Sequence, residues 1–283
     1  MYNHFAQFME YHNLPLKSEA IKRRLENYEK SAPLLDPPSQ RIEIPFEGIM
    51  LSGNLRFPKS DKGIKKVPCA ILIGGLESAK EGFYTFENLC LARGLATLSF
   101  DGPGQGETHS KMKARPDFEK ATSAVIDFIH KEKQDQIDVS RIGVIGRSTG
   151  GYYAPRSAAF EKRIKACVAW AVIYDFGLRW SGLTDTQKDG FTYVSGKKNW
   201  DESREYFKLF TLRGAAEKIT CPLYILHGML DNSIGIEQPE RVAREASGPT
   251  KLVIEKDGIH CCHNMAHVVR PRMADWMRAT LLD

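Results

Sequence analysis

Apolar and polar positions along this chain change rhythm near residue 67. Before that point, "SEAIKRRLENYEKSAPLL" spaces its apolar residues at helical intervals and stops at "DPPSQ". Residues 1–40 are therefore expected to form an N-terminal helical segment with a proline-rich exit. "RIEIPFEGIMLSGNLRFP" follows and reads as an antiparallel hairpin turning near Glu47-Gly48. Beyond it, unbroken apolar runs such as "CAILIGG", "LATLSFDGPG", "RIGVIG" and "PLYILHG" alternate with helical stretches such as "TFENLCLARG" and "DFEKATSAVIDFIHKE". Strands without polar alternation, interleaved with helices, predict a mostly parallel α/β sheet covered on both faces.

One span breaks this rhythm. From about Asp175 to Ala215 the sequence is polar but dense in aromatics. It lies between two core strands, and binding sites of α/β sheets sit outside the strand carboxyl ends. The span is expected to form a small helical cap, with Trp180, Tyr193 and Trp200 as substrate contacts. The competing reading packs its helices on the core by their aromatic faces. The chain then divides into an N-terminal segment (1–40), a first core half (41–174), the cap (175–215) and a second core half (216–283).

Composition narrows the function classes. Forty Lys+Arg against 35 Asp+Glu leave a net charge of +5. The densest basic group, "KSDKGIKK" at 59–66, reads as a solvated loop, so neither nucleic acid nor an anionic membrane is an expected partner. The first residues lack a basic region followed by an apolar one, and no apolar run approaches the roughly 20 residues of a membrane span. The six cysteines form no C-x-x-C and lie mostly in apolar segments, as expected of reduced thiols in the cytoplasm.

The chemistry is expected around "GRSTGG", where Ser148 stands between glycines after a buried-strand pattern and before a helical one. That strand–turn–helix context is what a nucleophile elbow requires, with Gly146 and Gly150 giving room and Ser148 projecting. The Thr149 N–H at the helix start can donate to an oxyanion, and the "ILIGGLES" loop offers the Leu76 N–H as a second donor. An elbow serine needs an acid and then a base later in the chain. Asp231 follows the strand "LYILHG", and His260 follows the strand and turn "LVIEKDG". Asp175 competes for the acid's role and His263 for the base's. Asp101, Gly102 and Gly104 read as structural residues at the pocket rim. The "HCCH" cluster at 260–263 lacks the spacing of a chelating set, so no metal or other cofactor is expected.

"GGLESAKEGFYTFENLCLARGLATLSFDGPGQGE", "GRSTGG", "YILHGMLD" and "EKDGIHCCHNM" resemble, in the same order, the 2,6-dihydroxypseudooxynicotine hydrolase group of the α/β-hydrolases. More loosely they resemble fungal polyketide-shortening hydrolases. The resemblance implies an eight-stranded α/β-hydrolase fold and a serine hydrolase acting on a carbon–carbon bond beside a ketone. Ser148, Asp231 and His260 match the group's triad. Members of the group carry a longer N-terminal helical domain, and "DFGLRWSGLTDTQKDGF" departs from their pattern. A small, aromatic ketone or β-diketone is the expected substrate. A carboxylesterase with the same triad is the nearest alternative; outside catalysis the alternatives are a binding protein with a silent site or a scaffold dimerising through its N-terminal helix, and a homodimer is also compatible with the enzyme. A peptidase of the prolyl-oligopeptidase type is expected to need a propeller-sized N-terminal region.

Overall fold

The computed structural model describes residues 14–59, 66–76 and 78–282. The first thirteen residues of the N-terminal segment, Glu77 of the "ILIGGLES" loop and most of the basic stretch 59–66 lie outside that description. Eight strands form one sheet: β1 (Gln40–Phe46), β2 (Ile49–Arg56), β3 (Val67–Ile73), β4 (Ala96–Phe100), β5 (Ile137–Arg147), β6 (Ile164–Trp170), β7 (Leu223–Gly228) and β8 (Thr250–Glu255). Their spatial order is β1-β2-β4-β3-β5-β6-β7-β8. β1 and β2 pair antiparallel and β2 joins β4 antiparallel, while every later pair is parallel.

The residue patterns explain this division. β1 alternates, burying Ile42, Ile44 and Phe46 and exposing the residues between them. β4 and β7 are buried at every position, as strands covered on both faces must be. The hairpin turns through Glu47 (φ 44°) and Gly48 (φ 82°), two left-handed residues whose twist matches that of the flanking strands.

Helices α1 (Leu14–Ser31), α2 (Tyr84–Leu91), α3 (Glu119–Phe128) and α4 (Gly150–Phe160) belong to the first half of the chain. Residues 175–215 hold three short helices, α5 (Phe176–Arg179), α6 (Asp185–Ser195) and α7 (Trp200–Phe207). α8 (Glu237–Glu245) and α9 (Ala266–Leu282) complete the layers. No helix among the described residues is long and apolar enough to cross a membrane.

Charge, besides apolar packing, seats α1 on the body. Its Arg24 lies 3.4 Å from Glu81, both nearly fully buried. Glu81 in turn meets the buried Lys80 at 2.7 Å, and Lys80 also reaches Asp101 at 3.1 Å and Glu107. Arg41 closes the network on Glu107 at 2.8 Å. Glu81, Asp101 and Glu107 converge closely enough to resemble a cation site, and the Lys80 ammonium already serves all three. This network stands beside the loop that follows β3, at the carboxyl edge of the sheet.

Candidate active site

The turn from β5 into α4 leaves no slack. Ser148 itself takes the left-handed conformation (φ 59°), which lifts its side chain out of the strand line. Its neighbours are glycines for want of space. A Cβ on Gly146 would stand 1.8 Å from the Gly150 carbonyl oxygen, and one on Gly150 would stand 2.3 Å from that of Ile73. The Ser148 N–H donates to the Trp170 carbonyl at 2.8 Å, tying the turn to β6. Thr149 is the N-cap of α4, so the positive end of that helix faces the Ser148 hydroxyl.

Two loops at the ends of β7 and β8 carry the other polar residues, and they touch backbone to backbone. A Cβ on Gly228 would lie 2.3 Å from the Gly258 carbonyl oxygen. That oxygen accepts the Leu230 N–H at 2.9 Å. The contact sets Asp231 beside His260, with His260 Nδ1 2.7 Å from Asp231 Oδ2. With Nδ1 protonated and donating to Asp231, His260 Nε2 is left to accept from the Ser148 Oγ, 2.9 Å away. Asp231 Oδ1 accepts from the Ser233 N–H and hydroxyl, both at 2.9 Å, and from the Ile234 N–H at 3.2 Å. The chain Ser148–His260–Asp231 can therefore carry a proton off the serine and stabilise the resulting imidazolium.

Electrostatics follow from these contacts. Burial alone raises the Asp231 carboxyl, but the hydrogen bond and charge of His260, with the Ser233 donors, outweigh it and bring the pKa down to about 2. Burial likewise disfavours the His260 imidazolium. The adjoining Cys261 sulfur and the Asp231 carboxylate reverse that and raise its pKa above the ordinary imidazole range. Cys261 and Cys262 are buried, form no disulfide and take left-handed conformations (φ 55° and 48°), and His260 and His263 favour the thiolate of Cys261. The Cys261 carbonyl accepts the Trp170 indole N–H at 2.6 Å, which pins the His260 loop to β6.

Above Ser148 lies a cavity of about 270 Å³, into which Leu76, Thr149, Ser148 and His260 all face. Gly75 runs directly against the serine, since its Cβ would stand 3.0 Å from the Ser148 Cβ. The Gly74 and Gly75 carbonyls are drawn the other way by Gln105 Nε2, at 2.8 and 3.3 Å. Gln105 thus orients the loop that presents Leu76, and the sequence alone did not single it out. The remaining walls come from Ser78, Arg147, Arg179, Thr186, Gln187 and Phe191. His263 and Cys261 complete the lining.

Three expected substrate contacts are corrected. Trp180 is 8% exposed and packs on Phe191 and Phe207, with ring centroids 6.2 and 6.4 Å away. Tyr193 stacks on His109 at 4.1 Å, under the Lys17 ammonium of α1. Trp200 is 39% exposed and donates to Asp189 at 2.8 Å. None of the three lines the cavity: Trp180 is packed in the core, Tyr193 against its edge, and Trp200 lies at the surface. Phe191 alone among those aromatics reaches the wall, and polar Arg179, Thr186 and Gln187 supply the rest of that side. The competing residues also have other places. Asp175 caps α5 through the Gly177 N–H at 2.8 Å and takes the Thr211 hydroxyl at 3.1 Å. His263 lines the cavity, while His260 is the imidazole in contact with Ser148. Asp101 accepts the Lys80 N–H at 2.8 Å and the Glu107 N–H at 3.0 Å, a structural set of bonds.

Comparison with known proteins follows the same outline. The model of the prolyl oligopeptidase family matches residues 86–281. The chain is 40% identical over 282 residues to the 2,6-dihydropseudooxynicotine hydrolase of Paenarthrobacter nicotinovorans, covering 98% of this chain and 74% of that protein. It is 39% identical over 170 residues to the hydrolyase poxO of Penicillium oxalicum, covering 57% of this chain and 39% of the fungal one. A crystal structure of 2,6-dihydroxy-pseudo-oxynicotine hydrolase superposes with a TM-score of 0.90 at 39% identity, over 98% of this chain and 78% of that one. These relatives are hydrolases, and the fold and the enzyme class are those of an α/β-hydrolase. The family carries the name of peptidases, and membership conveys the fold rather than the bond cut. With its strand order, its elbow at Ser148 and these similarities, the chain belongs to the prolyl oligopeptidase family of α/β-hydrolases.

Proposed function

We propose that this chain is a serine hydrolase that cleaves the carbon–carbon bond beside a ketone carbonyl, with Ser148 as nucleophile, His260 as base and Asp231 as the acid that orients it. The observation that supports this reading above others is the continuous Ser148–His260–Asp231 chain, at 2.9 and 2.7 Å, opening on a cavity. Similarity to a hydrolase named for an oxynicotine ketone directs the choice of bond.

Ser148 Oγ attacks the carbonyl carbon as its proton passes to His260 Nε2. The carbonyl electron pair moves onto oxygen, where the Leu76 and Thr149 N–H groups receive it. Such preorganised donors supply a large share of acyl-transfer catalysis. Collapse breaks the C–C bond, and the departing carbon takes its electron pair and then the proton from His260. Water adds to the acyl-serine by the same steps, releasing a carboxylic acid and restoring the enzyme. Carbon leaves with its electrons only if the resulting carbanion is delocalised, so an aryl ketone or β-diketone is the substrate class. A cavity of about 270 Å³ with Leu76 and Phe191 in its walls suits one ring and a short chain. Six free thiols suit a reducing, cytoplasmic compartment.

The test is a panel of aryl ketones, β-diketones and matched p-nitrophenyl esters, with fluorophosphonate labelling of Ser148. Ser148→Ala should abolish labelling and lower kcat by about 10⁴–10⁶ with the fold intact. Turnover of esters with none of any ketone or diketone would sink the C–C assignment. Retention of more than about a tenth of the wild-type kcat by Ser148→Ala would sink the nucleophile.

A further inference from the structure

The described residues around the cavity include two guanidinium groups and no carboxylate. Arg179 is 5% exposed, and its Nε donates to the Ser233 carbonyl at 3.0 Å. Its Nη1 is buried without a hydrogen-bond acceptor. Its flanks are ring carbons, with Phe191 5.5 Å and Phe176 5.9 Å from the guanidinium. Arg147, the residue before the nucleophile, also faces rings rather than acids, at 5.0 Å from Phe83 and 5.8 Å from Trp170. Other buried cations of this chain are treated differently. Arg24, although its Nε and Nη2 also lack a hydrogen-bond acceptor, faces Glu81; Arg56 faces Glu87 at 3.2 Å, and Lys80 faces three carboxylates.

The neighbouring acids are used elsewhere. Asp175, four residues earlier, is the extended N-cap of α5 and binds Thr211. Asp231 lies close enough to attract Arg179, but its oxygens are taken by His260, Ser233 and Ile234. A buried guanidinium with an empty donor is costly in a resting protein unless something arrives to accept from it. A planar fork of donors fits a carboxylate better than any other common substituent.

We propose that this pocket selects substrates bearing a carboxylate, which accepts from Arg179 while Arg147 adds a second positive charge to the same cavity. The ketone or ester that Ser148 attacks is thus part of a keto acid or an acidic aryl compound. This rests on the reading of Ser148 as the nucleophile. Burial lowers the Arg179 pKa to about 10, partly offset by Asp231, so the group remains charged at neutral pH.

Three isosteric aryl substrates test it, differing only in a 4-carboxylate, 4-carboxamide or 4-aminomethyl group. Turnover is measured with the wild type, and binding by calorimetry with Ser148→Ala. The carboxylate is expected to exceed the carboxamide at least tenfold in kcat/KM and in affinity, with the aminomethyl compound weakest. Arg179→Met should erase most of that ratio, and Arg179→Glu should turn it toward the aminomethyl compound. If Arg179 serves only to balance the Asp231–His260 pair, Arg179→Met lowers all three substrates alike and moves the pH profile, which overturns the proposal. A wild type that shows no preference beyond threefold overturns it as well, whether or not the variants fold. Carboxylate-selective binding without turnover or fluorophosphonate labelling leaves the anion site standing and removes the hydrolase reading. Turnover without charge preference does the reverse.

Discussion

Gly228→Ala places a methyl group far from any substrate, where it should nonetheless disable the enzyme. The new Cβ would meet the Gly258 carbonyl oxygen at 2.3 Å. Carbon and carbonyl oxygen rest at about 3.3–3.6 Å, so the loops after β7 and β8 must separate by about 1 Å. Their contact is what sets the 2.7 Å bond from His260 Nδ1 to Asp231. Lengthened by that amount, the distance leaves the range of a hydrogen bond, about 2.7–3.2 Å. A misplacement of about 1 Å costs on the order of 10² in rate. Loss of the orienting acid altogether costs about 10⁴. Gly228→Ala should therefore lower kcat by about 10²–10⁴ with a smaller change in KM, since only the His260–His263 part of the cavity wall lies on the displaced loops. Steady-state kinetics and the rate of fluorophosphonate labelling read the effect, with circular dichroism and Tm checking the fold. A variant that folds and keeps kcat within about threefold would show that the two loops do not set the histidine through this contact.

Two further predictions concern charge. As the proposed base, His260 must be neutral to accept the Ser148 proton, and its pKa is raised by Cys261 and Asp231 against the effect of burial. The rate should accordingly rise with pH along a limb centred above the ordinary value of about 6.5, and Cys261→Ala should move that limb down. The same shift makes His260 a source of stability that is complete below about 6.5 and lost as pH rises through the folded value. A flat kcat/KM from about pH 7 to 9, identical in Cys261→Ala, would refute the coupling. Lys80→Met should strand Asp101 among buried acids and cost about 3–5 kcal/mol, the range for breaking a buried pair. At about 2–4 °C per kcal/mol that is a fall in Tm of roughly 6–20 °C, and a fall of under about 2 °C would show the network to be dispensable.

The core was legible in the sequence because burial on both faces leaves unbroken apolar runs, as in β4 and β7. The polar residues ending such runs were legible for the same reason, and Ser148, Asp231 and His260 do converge. The cap residues were not. Aromatic density between Asp175 and Ala215 suggested a grip on substrate, but Phe176 and Phe210 pack on Tyr152 of α4 and Phe207 packs on both of them. Helices this short hold their place only by burying large side chains, so aromatic content there reports packing before it reports binding. Arg179 was not singled out, because nothing in a polar span shows that one arginine is buried with a donor unused. Gln105 was hidden because its partners are carbonyls thirty residues away, which no local pattern records.

The glycine contacts have a consequence for how this enzyme can diversify. At Gly146 and Gly150 any side chain collides with backbone, so a lineage that keeps the reaction has almost no heritable variation available there. The wall formed by Arg179, Thr186 and Gln187 is not pressed against backbone in this way, although Gln187 also closes the capping box of α6 and Arg179 holds the Ser233 carbonyl. New specificities are reachable by single substitutions on that wall, without passing through an inactive ancestor. Chemistry and choice of substrate are thereby separable traits, which mutation can change at different rates in one gene.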